Sequence, residues 1–181
     1  MKQRTTYCGL VNEQNVGKEI TLTGWVHRRR DHGGLIFIDL RDREGLMQIV
    51  FNAEFDKQAH ELAHGLRSEF VVMVTGLVVA RDAKLVNHDM KTGAFELQVK
   101  SLEILNKSIA LPFMINETVD VEEETRLTYR YLDLRRNEMF DIFRLRSEVL
   151  FFVREYFRNN GFLEVETPTL EITTDRAEAR P

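Results

Sequence analysis

The chain has 181 residues, 43% hydrophobic and 30% charged, with a formal net charge of -4. That length suits one full domain and part of another. The negative balance excludes any global attraction to nucleic acid, so such binding would have to be focused locally. The single cysteine, Cys8, excludes a disulfide framework and a cysteine-based metal site and fits a reducing cytosol. No apolar run nears the roughly 20 residues of a membrane span, and the start MKQRTTYCGL lacks a signal peptide's apolar stretch, so the expected location is cytoplasmic.

Taken in order, Thr6 to Asn15 reads as a short lead-in with a helical turn, closed by Gly17. A strand over Glu19 to Val26 continues into Arg28-Arg29-Arg30 and turns at His32-Gly33-Gly34, where glycine supplies positive φ. It returns as Leu35 to Arg41, and a second turn, Asp42 to Gly45, leads to a strand over Leu46 to Phe51. The period then changes. Phe55, Ala59, Leu62, Ala63 and Leu66 recur at three and four residues, which predicts an amphipathic helix over Glu54 to Ser68. Strands follow at Phe70 to Val79 and Ala94 to Leu105, joined by a polar loop from Ala80 to Gly93. Three strands, a helix and two more strands is the order of an OB-fold barrel, whose second and third strands and connecting loops bind oligonucleotides.

Strict alternation sends Ile36, Ile38 and Leu40 to the core and leaves Leu35, Phe37, Asp39 and Arg41 on the opposite face. The same count buries Met47, Ile49 and Phe51 and puts Gln48 outside, where strand pairing can set it near Phe37. A ring beside an amide can stack one unpaired base and hydrogen-bond the edge of another, each stacked base contributing about 1 to 3 kcal/mol. The other reading is a Phe37 packed under a loop and a Gln48 that is merely solvated. On the last strand Phe95, Leu97 and Val99 share one side, while Glu96 and Gln98 face out. Arg41, Asp42 and Arg43 read as turn residues and surface ion pairs.

The pattern lapses from Asn106 to Asp120, so a linker is placed there. Acidic Glu122 to Glu124 opens a short helix running into RLTYRYLDLRR, and Phe140, Phe143, Leu145, Val149, Phe152, Val153 and Tyr156 mark a long helix over Glu138 to Asn159, stopped by Asn160-Gly161. Its aromatics fall on more than one face, which calls for burial in a dimer or within the same subunit. Phe162 to Glu166 alternates as a strand and stops at Pro168.

At these residues a family resemblance emerges. GWVHRRRDHGGLIFIDLRDREGLMQIVF resembles the anticodon-binding barrel of bacterial aspartyl-tRNA synthetases, RLTYRYLDLRR resembles the hinge into their catalytic domain, and GFLEVETPTL is similar to class II motif 1. The hinge and motif 1 identify only the aspartyl, asparaginyl and lysyl subclass. The arginine block points to the aspartyl member. The fold implied is mainly β with helices: an OB-fold anticodon-binding domain over 1–106, linker and hinge over 107–137, and the first helix and strand of an α+β catalytic domain over 138–181. By position, the resemblance implies that Phe37 stacks on the middle anticodon base, Gln48 contacts a base edge, Arg30 grips the loop and Glu96 reads the first anticodon base, with Arg81 and Asn87 as weaker loop contacts. His32 in RDHGG resembles the non-discriminating enzymes, which charge both tRNA-Asp and tRNA-Asn. The helix and strand ending at Pro168 correspond to the family's homodimer interface.

The family continues after motif 1 with TPEGARD, whereas this chain reads TTDRAEARP, and the arginine-centred motifs that bind ATP and the aminoacyl group are missing. An incomplete chain, inactive alone, is expected, with ATP and magnesium serving the full-length enzyme that joins aspartate to tRNA. No catalytic residue and no metal site is expected in the chain itself: His27, His60, His64 and His88 lack partners at ligand spacing. The alternatives are an autonomous OB-fold module for single-stranded nucleic acid, or the same region of an asparaginyl or lysyl enzyme.

Overall fold

The structure, a computed structural model, describes residues 3–115 and 120–168. The chain divides into two compact units between Leu111 and Pro112. In the first, five strands close a barrel in the order β1-β2-β3-β5-β4. They run over Glu19–His32 (β1), Leu35–Asp42 (β2), Gly45–Phe51 (β3), Val71–Ala80 (β4) and Phe95–Asn106 (β5). All neighbours are antiparallel except β3 and β5, whose parallel contact at Ile49 and Leu97 completes the circle. Closure needs a strand that serves two partners. β1 pairs with β4 over Glu19 to Trp25 and with β2 over Trp25 to His32, and its register shifts between Val26 and Arg28, where a bulge bends it from one neighbour to the other.

The core follows the alternation. Leu22, Val26, Ile36, Ile38, Leu40, Met47, Ile49, Phe51, Val72, Val74, Val78 and Leu97 are fully buried. At Gly76 the β4 backbone passes so close to β5 that an added Cβ would sit 2.1 Å from the Gln98 carbonyl oxygen. The hairpin between β1 and β2 turns on Gly33 and Gly34, with φ of 58° and 87°. The lead-in forms two 3-10 turns, Cys8–Leu10 and Glu13–Asn15, and enters the core through Cys8 and Val11. Burial pushes the Cys8 thiol well above its ordinary pKa, so it stays a neutral packing group.

Helix α1 covers Lys57–His64, shorter at both ends than the periodicity predicts. Asp56 accepts a hydrogen bond from the Ala59 N–H and so caps the start, while Gly65 ends it. Leu66 remains in the core, but as a residue of the following turn. Asp42 also departs from the surface role expected of it. It is buried and accepts from the N–H groups of Cys8 and Glu44, tying lead-in to turn. Arg41, expected in a surface pair, instead meets Glu69 at 2.8 Å, and the Glu69 side chain is only 4% exposed. Arg43 does form an exposed pair with Glu44.

The second unit contains α2 (Glu123–Thr128), α3 (Arg130–Asp133) and α4 (Asn137–Asn159). Asp133 has no exposed side-chain surface and is ringed by Arg126, Arg130 and Arg136 at 3.0, 2.6 and 3.5 Å. Burial alone would raise its carboxyl pKa, but the hydrogen bonds and charges of Arg126 and Arg130 outweigh it and hold the group below its ordinary value. Its contribution to stability is therefore present above the unfolded-state value and lost as pH falls through the folded one.

Helix α4 ends as the sequence reads, with Gly161 at φ 83° and its N–H donating to Arg158. No residue of α4 is buried. The strand expected at Phe162 to Glu166 is absent. These residues have no regular structure, because a strand is held by its partner's ladder and none pairs with them among the described residues. Pro168 is exposed in this segment. The end of the motif 1 resemblance and the TTDRAEARP tail lie outside the described residues. Among the described residues, no helix is long and apolar enough to cross a membrane.

Candidate nucleic-acid interface

The arginine run on β1 is not one patch. Pairing sets Arg28 opposite Asp39 and Arg30 opposite Phe37, so these two share the outer face, while Arg29 faces the other way opposite Ile38 and pairs with Asp31 at 3.1 Å. On β3, Gln48 lies directly across from Asp39, and Phe37 lies across from Val50. Phe37 and Gln48 are thus diagonal neighbours rather than direct partners. Phe37 is half-buried, with Arg30 on one side and Val50 on the other.

Gln48 is on the outer side as the alternation requires, but it is not solvated: it is 4% exposed, covered by charged side chains. Arg81, at the end of β4, donates from Nη2 to Gln48 Oε1 at 2.6 Å and from Nη1 to the Gly93 carbonyl at 3.1 Å. Gln48 Nε2 donates to Glu96 Oε2 at 3.4 Å, and Arg81 Nε stands 3.4 Å from the same oxygen. Arg30 reaches diagonally to Asp39 Oδ1 at 2.6 Å and lies 3.4 Å from Gln48 Oε1. Four of the expected site residues, Arg30, Gln48, Arg81 and Glu96, therefore form one connected network beside Phe37. The residue sequence reasoning passed over is Asp39. Its signal was its place on the outer face two residues from Phe37.

Burial raises the Glu96 carboxyl pKa, and the charge and hydrogen bond of Arg81, with the hydrogen bond of Gln48, pull it partly back. The Nε atom of Arg30 is buried without a hydrogen-bond partner, while that of Arg81 faces the Glu96 carboxylate. The face joins the Phe37 ring, the Arg30 and Arg81 guanidinium groups and the Asp39 and Glu96 carboxylates around an amide, a set suited to stacking a base and bonding a base edge and a phosphate.

Two expected residues lie apart from this network. Asn87 is half-buried and its side chain accepts from the Asp89 N–H, which closes a turn in the loop before β5. His32 is exposed at the hairpin, and the adjoining Gly34 carbonyl is 2.7 Å from His60 Nε2 on α1. His60 and His64 meet edge to face at 4.9 Å. A second polar group, His27, Arg41 and Glu69, sits at the β1 bulge, with Arg41 Nη1 3.1 Å from His27 Nδ1. Burial, then the Arg41 charge, lowers the His27 pKa, which keeps the ring neutral at physiological pH.

Residues 20–105 match the family model described as OB-fold nucleic acid binding domain, and residues 122–181 match that described as tRNA synthetases class II (D, K and N). Barrel and following segment together define the class: the nucleic-acid-binding region of a class II aminoacyl-tRNA synthetase. Within that class the chain is similar over nearly its whole length to aspartate–tRNA ligases. It is 54% identical over 175 residues to the aspartate–tRNA ligase of Staphylococcus epidermidis, a match covering 96% of this chain and 30% of that protein. In structure it is similar to an aspartyl-tRNA synthetase described as putative from Leishmania major, with a TM-score of 0.82 and 26% identity over 96% of this chain and 38% of that one. It is similar also to the asparaginyl-tRNA synthetase of Pyrococcus horikoshii, solved with asparaginyl-adenylate, with a TM-score of 0.78 and 28% identity over 93% and 37% of the two chains. The chain thus spans about 30% of the length of the curated relatives it matches.

Proposed function

We infer that the outer face of β2, β3 and β5 reads the anticodon of tRNA-Asp, as the recognition region of a longer enzyme that joins aspartate to tRNA through ATP. The observation that carries this reading is the network of Arg30, Gln48, Arg81 and Glu96 beside the half-exposed Phe37, on the barrel face where OB-folds take single strands. In this reading Phe37 stacks on the middle base, Gln48 and Arg81 orient the reading groups, Glu96 accepts from the edge of a guanine, and Arg30 holds the loop. Asn87 shapes the loop beside the first base. His32, at the exposed hairpin, relaxes the choice at the last base so that tRNA-Asn also binds. Pro168 and the uncovered aromatics of α4 belong to a homodimer contact of the longer enzyme, which works in the cytoplasm. Among the described residues no group of three or more histidine, cysteine or acidic side chains is placed to hold a metal ion. ATP and magnesium serve the longer enzyme in this reading.

The test is the affinity of this chain for three anticodon stem-loops at one salt concentration: aspartate type, asparagine type, and an unrelated sequence. Tight binding of the first two over the third is the expected result. Equal binding of all three would leave a general single-strand binder, with a steep salt dependence.

The Glu96 carboxyl gives a second check. Its raised pKa means that the acceptor is lost at a higher pH than an ordinary carboxylate would lose it, so affinity for a guanine-bearing loop should fall as pH drops through the acid range. The stability consequence has the opposite sign. A carboxyl raised on folding contributes stability below its unfolded-state value and loses it as pH rises through the folded one, so at neutral pH its ionised form is a net cost. Glu96→Gln is accordingly expected to weaken binding of the guanine-bearing loop and flatten its pH profile, without lowering the midpoint of thermal unfolding at pH 7. A variant that melts earlier but binds normally would remove Glu96 from the reading group.

A further inference from the structure

We propose that Asp39 is a positioning residue for anticodon recognition, holding the Arg30 guanidinium in the one orientation from which it serves the bound strand. The proposal rests on the anticodon-binding role given to this face. An acidic side chain buried within a surface meant for a polyanion is electrostatically adverse. Yet Asp39 is central to that surface, opposite both Arg28 on β1 and Gln48 on β3 and only 7% exposed. Its Oδ1 accepts from Arg30 Nη2 at 2.6 Å, the length of a strong charge-assisted bond.

The same Nη2 lies 3.4 Å from Gln48 Oε1, the atom that Arg81 holds at 2.6 Å from the other side. Asp39 is thus the anchor of a chain running Asp39, Arg30, Gln48, Arg81, Glu96. The Arg30 side chain is 35% exposed against 10% for Asp39, so the guanidinium projects while its anchor lies beneath. Only one terminal nitrogen is consumed by the anchor. A free arginine in this position would sample many rotamers and lose entropy on binding; an anchored one has already lost it.

Charge and positioning predict opposite signs for one substitution. Asp39→Asn keeps the shape of the side chain and removes its negative charge. If the carboxylate acts only through its charge, the variant binds an anionic stem-loop at least as tightly as the parent chain. If it positions Arg30, affinity for the aspartate-type stem-loop falls by about tenfold, the size of a lost charge-assisted bond, and the preference over the unrelated loop shrinks. Asp39→Glu keeps the charge but moves it by one methylene, and it is expected to lose part of the same preference.

The experiment measures all three stem-loops on the parent chain, Asp39→Asn, Asp39→Glu, Arg30→Ala, and the Asp39→Asn, Arg30→Ala double variant, with thermal unfolding of each. Positioning through Arg30 requires that Asp39→Asn add little once Arg30 is gone. Unchanged or tighter binding by Asp39→Asn overturns the proposal, as does an undiminished effect in the double variant. Should Asp39→Asn fail to fold, Asp39→Glu at parental discrimination overturns it by itself. A parent chain that shows no preference among the loops instead overturns the anticodon reading on which the proposal stands.

Discussion

Ile38→Ala is expected to lower the unfolding free energy of the barrel by about 2 to 5 kcal/mol, the range for emptying a fully buried aliphatic site. Ile38 has no exposed surface and lies on β2 between Arg29 of β1 and Ile49 of β3, so strands on both sides hold the backbone and restrict collapse into the space left behind. Urea unfolding measures the change directly. The slope with denaturant should stay constant while the midpoint moves. A loss under about 1 kcal/mol would mean that the site relaxes as a surface position does.

Phe37→Ala, one residue earlier in the chain, is expected to act on the other property. Its ring is on the outer face beside Arg30, so its removal should weaken binding of the aspartate-type stem-loop by about 1 to 3 kcal/mol, the contribution of one stacked base. The melting transition should stay close to that of the parent chain. The two substitutions together separate the faces of one strand: one moves the unfolding midpoint, the other moves Kd. If Phe37→Ala costs as much stability as affinity, the ring belongs to the packing rather than to a base-stacking platform.

The parts of the fold that sequence makes legible are those written in period. Alternation over Leu35 to Arg41 and Leu46 to Phe51 identifies which residues are buried, because every second side chain of a half-buried strand must leave water. The stop of α4 was equally plain, since Gly161 supplies the positive φ that the helix end requires. Properties that depend on what covers a residue were not legible. Gln48 is on the predicted side of β3 but buried, because Arg81 and Glu96 arrive from strands remote in sequence. Arg41 looked like a surface charge until the turn before β4 brought Glu69 to it. Phe162 to Glu166 had the alternation of a strand without a partner to pair with, and pattern alone does not form a sheet. Asp39 was passed over because an acid suggests nothing about nucleic-acid binding until its arginine is seen.

The parallel contact between β3 and β5 has a consequence for how the molecule is made. Closure depends on the last strand, so a chain emerging from the ribosome cannot complete the barrel until Asn106 has been synthesised, and β1 to β4 wait as an open sheet with a bare edge. Once β5 is out, nothing later is required, since every strand of the barrel precedes Leu111. The barrel can therefore be finished before α4 leaves the tunnel, so the exposed aromatics of that helix emerge only after the unit that precedes them in the chain has folded.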